Sequence, residues 1–270
     1  MNAADVATTD KEKRQKTDKI DARKLCEHLQ SKKMKGIYVP PLQWEHGRSL
    51  VRARARIVGN QTRCKNRIWQ LFHFSGLALP KDYEAGQYWS RNFVKELQAT
   101  DCGTEELKIT LGLYIKDFLQ TRALLLEATK AIGNLSKQSE YQKGIALLRS
   151  IPGVGEINAA VILFELQDVS RFKHFDNLCS YAGLVPNTSD SGETKKTKGI
   201  TNRSNHYLRT ALVESSWSVV RKDPALLMKY KMYCRTMEKN KAIIRIAKHL
   251  LSRINYVLKN KKEYVSGVVA

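Results

Sequence analysis

From about Glu45 to Ser75 apolar residues recur at heptad spacing, with Leu50, Ile57, Cys64 and Leu71 in one row and Val51, Val58 and Phe72 beside it. Such a stripe predicts a long amphipathic helix. Its polar face is rich in arginine: Arg48, Arg52, Arg54, Arg56, Arg63 and Arg67. After Gly103 a second long pattern puts Leu111, Phe118, Leu125 and Ile132 in one row and Leu107, Tyr114, Ala128 and Leu135 in another. The two segments are expected to pair as an antiparallel helical hairpin or with a second copy of the chain, since an internal bundle and a dimerising coiled coil share the same seam.

Shorter patterns flank this pair. A helix is expected from Thr17 or Asp18 to about Ser31, where Lys32, Lys33 and Gly36 act as stop signals. "GIYVPPLQW" reads as an extended connector because Pro40 and Pro41 exclude helix there. In "RSIPGVGEINAAVILFEL" a short helix ends near Ser150, a Pro-Gly-Val-Gly turn follows, and an apolar helix begins at about Glu156. Residues 187–205 hold almost no large apolar side chain and read as an exposed loop. Amphipathic helices are expected at about 204–221 and 239–259, the last burying Ile243, Ile244, Ala247, Leu250, Leu251, Ile254 and Val257. No strand-rich segment is evident, so the predicted fold class is mainly α.

Charge narrows the partners. The 270 residues carry 47 Lys and Arg against 26 Asp and Glu, a formal net charge of +21. That excess has to face something anionic, and nucleic acid leads. A membrane surface is the rival, but no run of about 18 apolar residues or signal-like segment is present, and a soluble intracellular protein is expected. Cys26, Cys64, Cys102, Cys179 and Cys234 lack the paired spacing of a zinc site or a disulfide framework. The six histidines likewise form no HxxxH or HExxH motif, so any metal would be held by oxygen ligands.

Three features carry candidate chemistry. Asp18 and Asp21, three residues apart, fall on one helix face and could present two oxygen ligands to a hard divalent cation. Equally, Asp18 could be an N-cap and Asp21 a first-turn acid favoured by the helix dipole. Gly153, Val154 and Gly155 have helix-hairpin-helix spacing, which lets backbone N–H groups bind a phosphate without reading sequence; the alternative is an ordinary turn between packed helices. The segment from residue 187 onward brings Ser189, Ser191, Lys195, Lys196, Lys198, Arg203 and Arg209 close in sequence. Its cations could clamp phosphate, and a serine hydroxyl there could attack a phosphodiester, although a serine in such a segment is ordinarily just solvated.

Two separated blocks resemble one known family. "ATTDKEKRQKTDKIDARKL" is similar to the end of the N-terminal nuclease domain of the insertion-sequence 110 family of transposases (the 110/116/902 group). "LRSIPGVGEINAAVILFEL" and "FDNLCSYAGLVPNTSDSGETKKTKGITNRSNHYLRTAL" resemble that family's C-terminal transposase domain, in the same order. The resemblance implies a recombinase of its own insertion sequence, with an RNase H-like DEDD nuclease domain of the junction-resolvase type that binds Mg²⁺. It further implies a C-terminal serine nucleophile, a structured noncoding guide RNA, DNA as substrate, and a homo-oligomer, dimer or tetramer. Asp18 and Asp21 match the last two of four acids, and Ser191 matches the serine before glycine, with Ser189 as the neighbouring alternative.

The implied division is a nuclease-domain remnant at 1–35, a helical linker or coiled coil at 36–142, and a C-terminal transposase domain with helix-hairpin-helix and serine loop at 143–262. The first two acids have no counterpart here, so the expectation is a truncated, impaired transposase in a bacterial cytoplasm, associated with the nucleoid. Two other classes compete: a non-catalytic nucleic-acid-binding protein derived from a transposase, and an assembly module built on the long helices.

Overall fold

Thr17 opens the first helix. Its hydroxyl accepts from the Ile20 N–H, and α1 runs Asp18–Gln30 with Asp18 and Asp21 in its first turn. The capping role that the sequence left to Asp18 thus belongs to Thr17. The computed structural model describes residues 17–32, 36–81, 83, 86–191, 194–200 and 204–266, and the side chains of these except 187–200. The chain divides into two units, 1–41 and 42–270, and everything below apart from α1 concerns the second.

Helix α2, Leu42–Ser75, starts directly after Pro41, three residues earlier than the apolar stripe predicts. A proline cannot continue a helix from within but is tolerated at its edge. Helix α3 is Arg91–Ala99 and α4 is Glu105–Ser136, the latter capped by Thr104. Helices α2 and α4 form the antiparallel hairpin within one chain, and Leu111, Phe118 and Ile132 are buried in it. Val58, which the heptad row placed inside, is exposed. A straight α-helix has 3.6 residues per turn, so a 3.5-residue row drifts by about 20° per heptad; the buried positions of α2 are Gly47, Val51, Cys64, Ile68 and Phe72.

The hairpin spans two separate apolar cores. One, at its tip, packs Phe93, Val94 and Leu97 of α3 against Cys64, Ile68, Phe72, Leu111, Ile115 and Phe118. The other, at its base, belongs to the C-terminal helices. Between them Arg54 donates to Thr129 at 2.9 Å, and in the tip core the Cys64 thiol donates to Asp117 at 3.2 Å.

The larger core is built around one helix. Helix α5 is Ser139–Arg149, and α6, Glu156–Leu166, is mostly apolar and packs against α2, α4, α5 and α8, as expected of a helix surrounded by neighbours. After a 3₁₀ turn at Val169–Arg171 come α7, Phe175–Ala182, then β1, Pro186–Ser191, and β2, Thr194–Ile200. Helices α8, His206–Lys222, α9, Pro224–Cys234, and α10, Lys239–Asn260, close the fold. The expected inner stripe of α10 is confirmed except at Ile244, which is half-buried. The mainly α class holds. The expected loop at 187–205 is instead largely an antiparallel β-hairpin, with Thr188 opposite Thr197 and Ser191 opposite Thr194. Threonines at 188, 194 and 197 and Ile200 are β-branched, which suits a pleated pair.

Candidate nucleic-acid interface and serine hairpin

The turn between α5 and α6 is fixed by glycine for two different reasons. Gly153 has φ of 94°, and a Cβ there would lie 2.7 Å from the Val219 backbone nitrogen of α8. Its missing side chain therefore lets two helices approach. Val154 is buried in the same core. Gly155 differs: it is exposed, a Cβ would meet nothing within 4 Å, and as N-cap of α6 it supplies no side-chain hydrogen bond. Of the three residues expected to hold a phosphate, Gly155 is the exposed one.

The serine hairpin stands on two roots that the structure brings together. Upstream, Gly183 ends α7 with φ of 70°, and a Cβ there would touch Ser204. Downstream, Asn205 donates its backbone N–H to Tyr181 O at 2.8 Å and caps α8 by accepting from the Leu208 N–H at 3.1 Å. Arg209 follows on α8, half-buried against Gly183. Ser191 is the last residue of β1, and Lys195, Lys196 and Lys198 lie in β2, with Lys195 opposite Asp190 and Lys196 opposite Ser189. The side chains of these residues, and Arg203 entirely, lie outside the described residues.

Below the roots sits a buried acid that the sequence reading missed. Glu165 is fully buried in the otherwise apolar α6. Arg52 of α2 grips it bidentately, Nε to Oε1 at 2.7 Å and Nη2 to Oε2 at 2.8 Å. The Asn205 amide donates to Oε2 at 2.6 Å and also to the Tyr181 hydroxyl at 3.1 Å, while that hydroxyl donates to the Glu165 carbonyl at 3.1 Å. The Arg52 guanidinium pKa is raised chiefly by its bond to Glu165, against the effect of burial, and it lies over the Tyr207 ring. A buried charge is tolerated when paired and hydrogen-bonded, and one carboxylate here ties α2, α6 and both hairpin roots. The available signal was the single acid inside "NAAVILFEL".

A second clasp closes the far side. Asp223, buried, caps α9 and accepts from Arg253 and from the Tyr264 hydroxyl at 2.6 Å, while the Tyr264 N–H donates to the Ser150 hydroxyl at 2.8 Å. Burial opposes the Asp223 carboxylate, but donation from Tyr264, the Leu226 N–H and Arg253 outweighs it and holds the group below the usual range. Burial and donation to Asp223 push Tyr264 up to about 12. The aspartate's contribution to stability is thus present above the unfolded-state pKa and is lost as pH falls through the lower folded value; the tyrosine's is present below about pH 10 and is lost towards about pH 12.

Asp18 and Asp21 occupy dipole-favoured positions in α1. They make an oxygen-only donor set suited to a hard cation, limited to two carboxylates. Among the described residues no group of three or more His, Cys, Asp or Glu is placed to hold a metal. None of the described helices is long and apolar enough to cross a membrane.

Residues 145–231, from α5 through the hairpin to α9, match the family model described as Transposase IS116/IS110/IS902 family. The y4qE and y4rJ proteins of Sinorhizobium fredii, both named as transposases, are 27% and 28% identical over 82% and 93% of this chain, and 52% and 68% of their own lengths. The transposase for insertion sequence element IS1111A of Coxiella burnetii is 25% identical over 77% of this chain and 56% of its own length.

Across its C-terminal helices the chain is similar to the IS116/IS110/IS902 transposase family. It spans about half to two thirds of the length of these relatives. The stretch matched to the transposase family contains the α5–α6 turn, Glu165, both hairpin roots and Ser191, so the buried carboxylate and the serine strand fall in the same matched block.

Proposed function

We propose that the chain is a DNA-binding recombinase of an insertion sequence, in which Ser191 is the nucleophile and the β-hairpin cations and the start of α6 hold phosphate. The observation that carries this reading is the backbone register: within the family-matched segment, Ser191 ends one strand and three lysines occupy the strand paired with it. Ser191 Oγ would attack a DNA phosphorus, forming the seryl P–O bond as the bond to the departing deoxyribose oxygen breaks. The seryl proton passes to a general base, the leaving oxygen gains a proton, and the phosphoseryl link conserves the bond for rejoining. Lys195, Lys196, Lys198 and Arg203 would offset charge on the pentacovalent phosphorus.

Asp18 and Asp21 would contribute two carboxylates to a Mg²⁺ ion, whose Lewis acidity would polarise a phosphoryl oxygen. A structured RNA is a further proposed partner of the basic surface. Self-association has its own support: Ile109, Leu113 and Leu124 share one outer face of α4 and are exposed, although the main rows of that helix are satisfied within the chain.

The test is the salt dependence of binding to duplex DNA. Each neutralised phosphate adds about 0.9 to the slope of log affinity against log salt, so replacing Lys195, Lys196 and Lys198 together by alanine is expected to weaken binding and lower the slope by about 2–3. An unchanged slope would remove the hairpin from the interface.

A further inference from the structure

Helices α9 and α10 carry eight Lys or Arg, namely Lys229 and Lys231 on the first and Lys239, Lys241, Arg245, Lys248, Arg253 and Lys259 on the second, and no Asp or Glu at all. Where the two helices pack, Lys229, Arg245, Lys248 and Arg253 gather around a stack. The Tyr233 hydroxyl meets His249 Nε2 at 2.8 Å, the two rings lie within 14° of parallel with centroids 6.0 Å apart, and the Arg245 guanidinium sits 5.4 Å from the Tyr233 ring centre. Lys229 and Arg245 are exposed at its rim, while Lys248 and His249 are half-buried.

The anions nearby are already engaged. Asp176 of α7 pairs with Lys248 at 3.7 Å, a contact exposed enough to exchange readily, and Asp223 is held by Arg253 and Tyr264. Burial, then Lys229, Arg253 and Lys248 in turn, hold the His249 imidazole below its ordinary pKa. An aromatic hydrogen-bonded to a histidine and ringed by cations that outnumber their acids is built for an oxyanion.

We propose that the edge of α9 and α10 centred on Arg245, Tyr233 and His249, with Lys229 and Lys248, is a second phosphodiester-binding surface separate from the serine hairpin, and that His249 takes up a proton when DNA docks there. The inference rests on the DNA-binding reading above. A phosphate against Lys229 and Lys248 cancels the repulsion they exert on the imidazole, so binding and protonation favour one another. By the same sign, His249 disfavours the fold as pH falls below the ordinary histidine value, whereas its affinity for DNA rises over that range.

Binding of the full chain to a short duplex of arbitrary sequence, followed from about pH 7.5 to about pH 5.5, tests this. Wild-type affinity is expected to rise as pH falls, by up to about tenfold per pH unit, and the His249 ring proton observed by NMR is expected to titrate at higher pH with DNA bound. His249→Gln is expected to flatten the added pH dependence, and Lys229→Ala with Arg245→Ala, both exposed positions, to lower the salt slope by about 1–2. The same pH dependence in His249→Gln, or an unchanged slope in the double variant, overturns the second surface while leaving the hairpin interface standing. Absence of DNA binding by the wild-type chain overturns both.

Discussion

Glu165→Ala is expected to lower the unfolding free energy by about 3–5 kcal/mol, the cost of breaking a buried ion pair from one side. The change leaves the Arg52 guanidinium without its bidentate partner and takes from the Asn205 amide its shorter contact. Arg52 is about one-third exposed, with its side chain at 37%, so water can recover part of its solvation; half-buried Asn205 keeps only its longer contact to the Tyr181 hydroxyl. The damage is therefore directed at the hairpin roots. Chemical denaturation gives the magnitude, and hydrogen exchange at residues 181–208 gives the location. Replacing Glu165 and Arg52 together by leucine is expected to recover a large part of the stability, because the desolvation of both charges disappears with them. It should not recover the protection of the hairpin, since Asn205 still lacks the carboxylate.

Gly153→Ala is expected to cost about 2–4 kcal/mol. A left-handed backbone strains an L residue by about 1–2 kcal/mol, and overpacking against the α8 backbone adds about 1–3 kcal/mol. The nearest atoms are backbone, Val219 nitrogen at 2.7 Å and Ser218 carbon at 2.9 Å, so no side-chain rotamer can relieve the contact. Gly155→Ala is the control two residues away: with φ of −77° and open space around it, it loses only the N-cap preference, about 0.5–1 kcal/mol. Equal losses at the two positions, read from thermal or denaturant melts, would contradict the division between a packing glycine and a surface glycine.

Most of the architecture was written in apolar periodicity. The long seams, the start of the apolar helix near Glu156 and the inner stripe of α10 follow from side chains recurring on a buried face. Short elements escaped it. Helices α3, α7 and α9 run only 8–11 residues, and such segments hold too few turns for a stripe to stand out from irregular spacing. Val58 was misplaced because a heptad row was extended through a stretch where the helix faces no core. The hairpin was read as a loop because sequence patterns reveal strands by alternating apolar residues, whereas this pair is mostly Thr, Lys, Ser, Asn and Asp with Ile200 as its one large apolar residue.

The site was legible in its chemistry and not in its scaffold. The Pro-Gly-Val-Gly turn, the serine segment and the lysines following it stand out as residue types. That Gly153 serves an approach between helices, while Gly155 faces outward, depends on where α8 crosses, more than sixty residues downstream. The Glu165 network joins four segments through hydrogen bonds that span up to 113 residues each, a coincidence that no local pattern records.

Covalent capture of DNA is the measurement closest to the proposed chemistry. The full chain would be incubated with Mg²⁺ and duplexes bearing the element's end sequences, with and without the flanking RNA, then denatured and digested for peptide mass mapping. The expected result is a DNA adduct on the peptide containing Ser191, lost in Ser191→Ala although DNA affinity is retained. An adduct that survives Ser191→Ala, or wild-type chain that binds these ends and forms none, would contradict the assignment of Ser191 as the nucleophile of this chain.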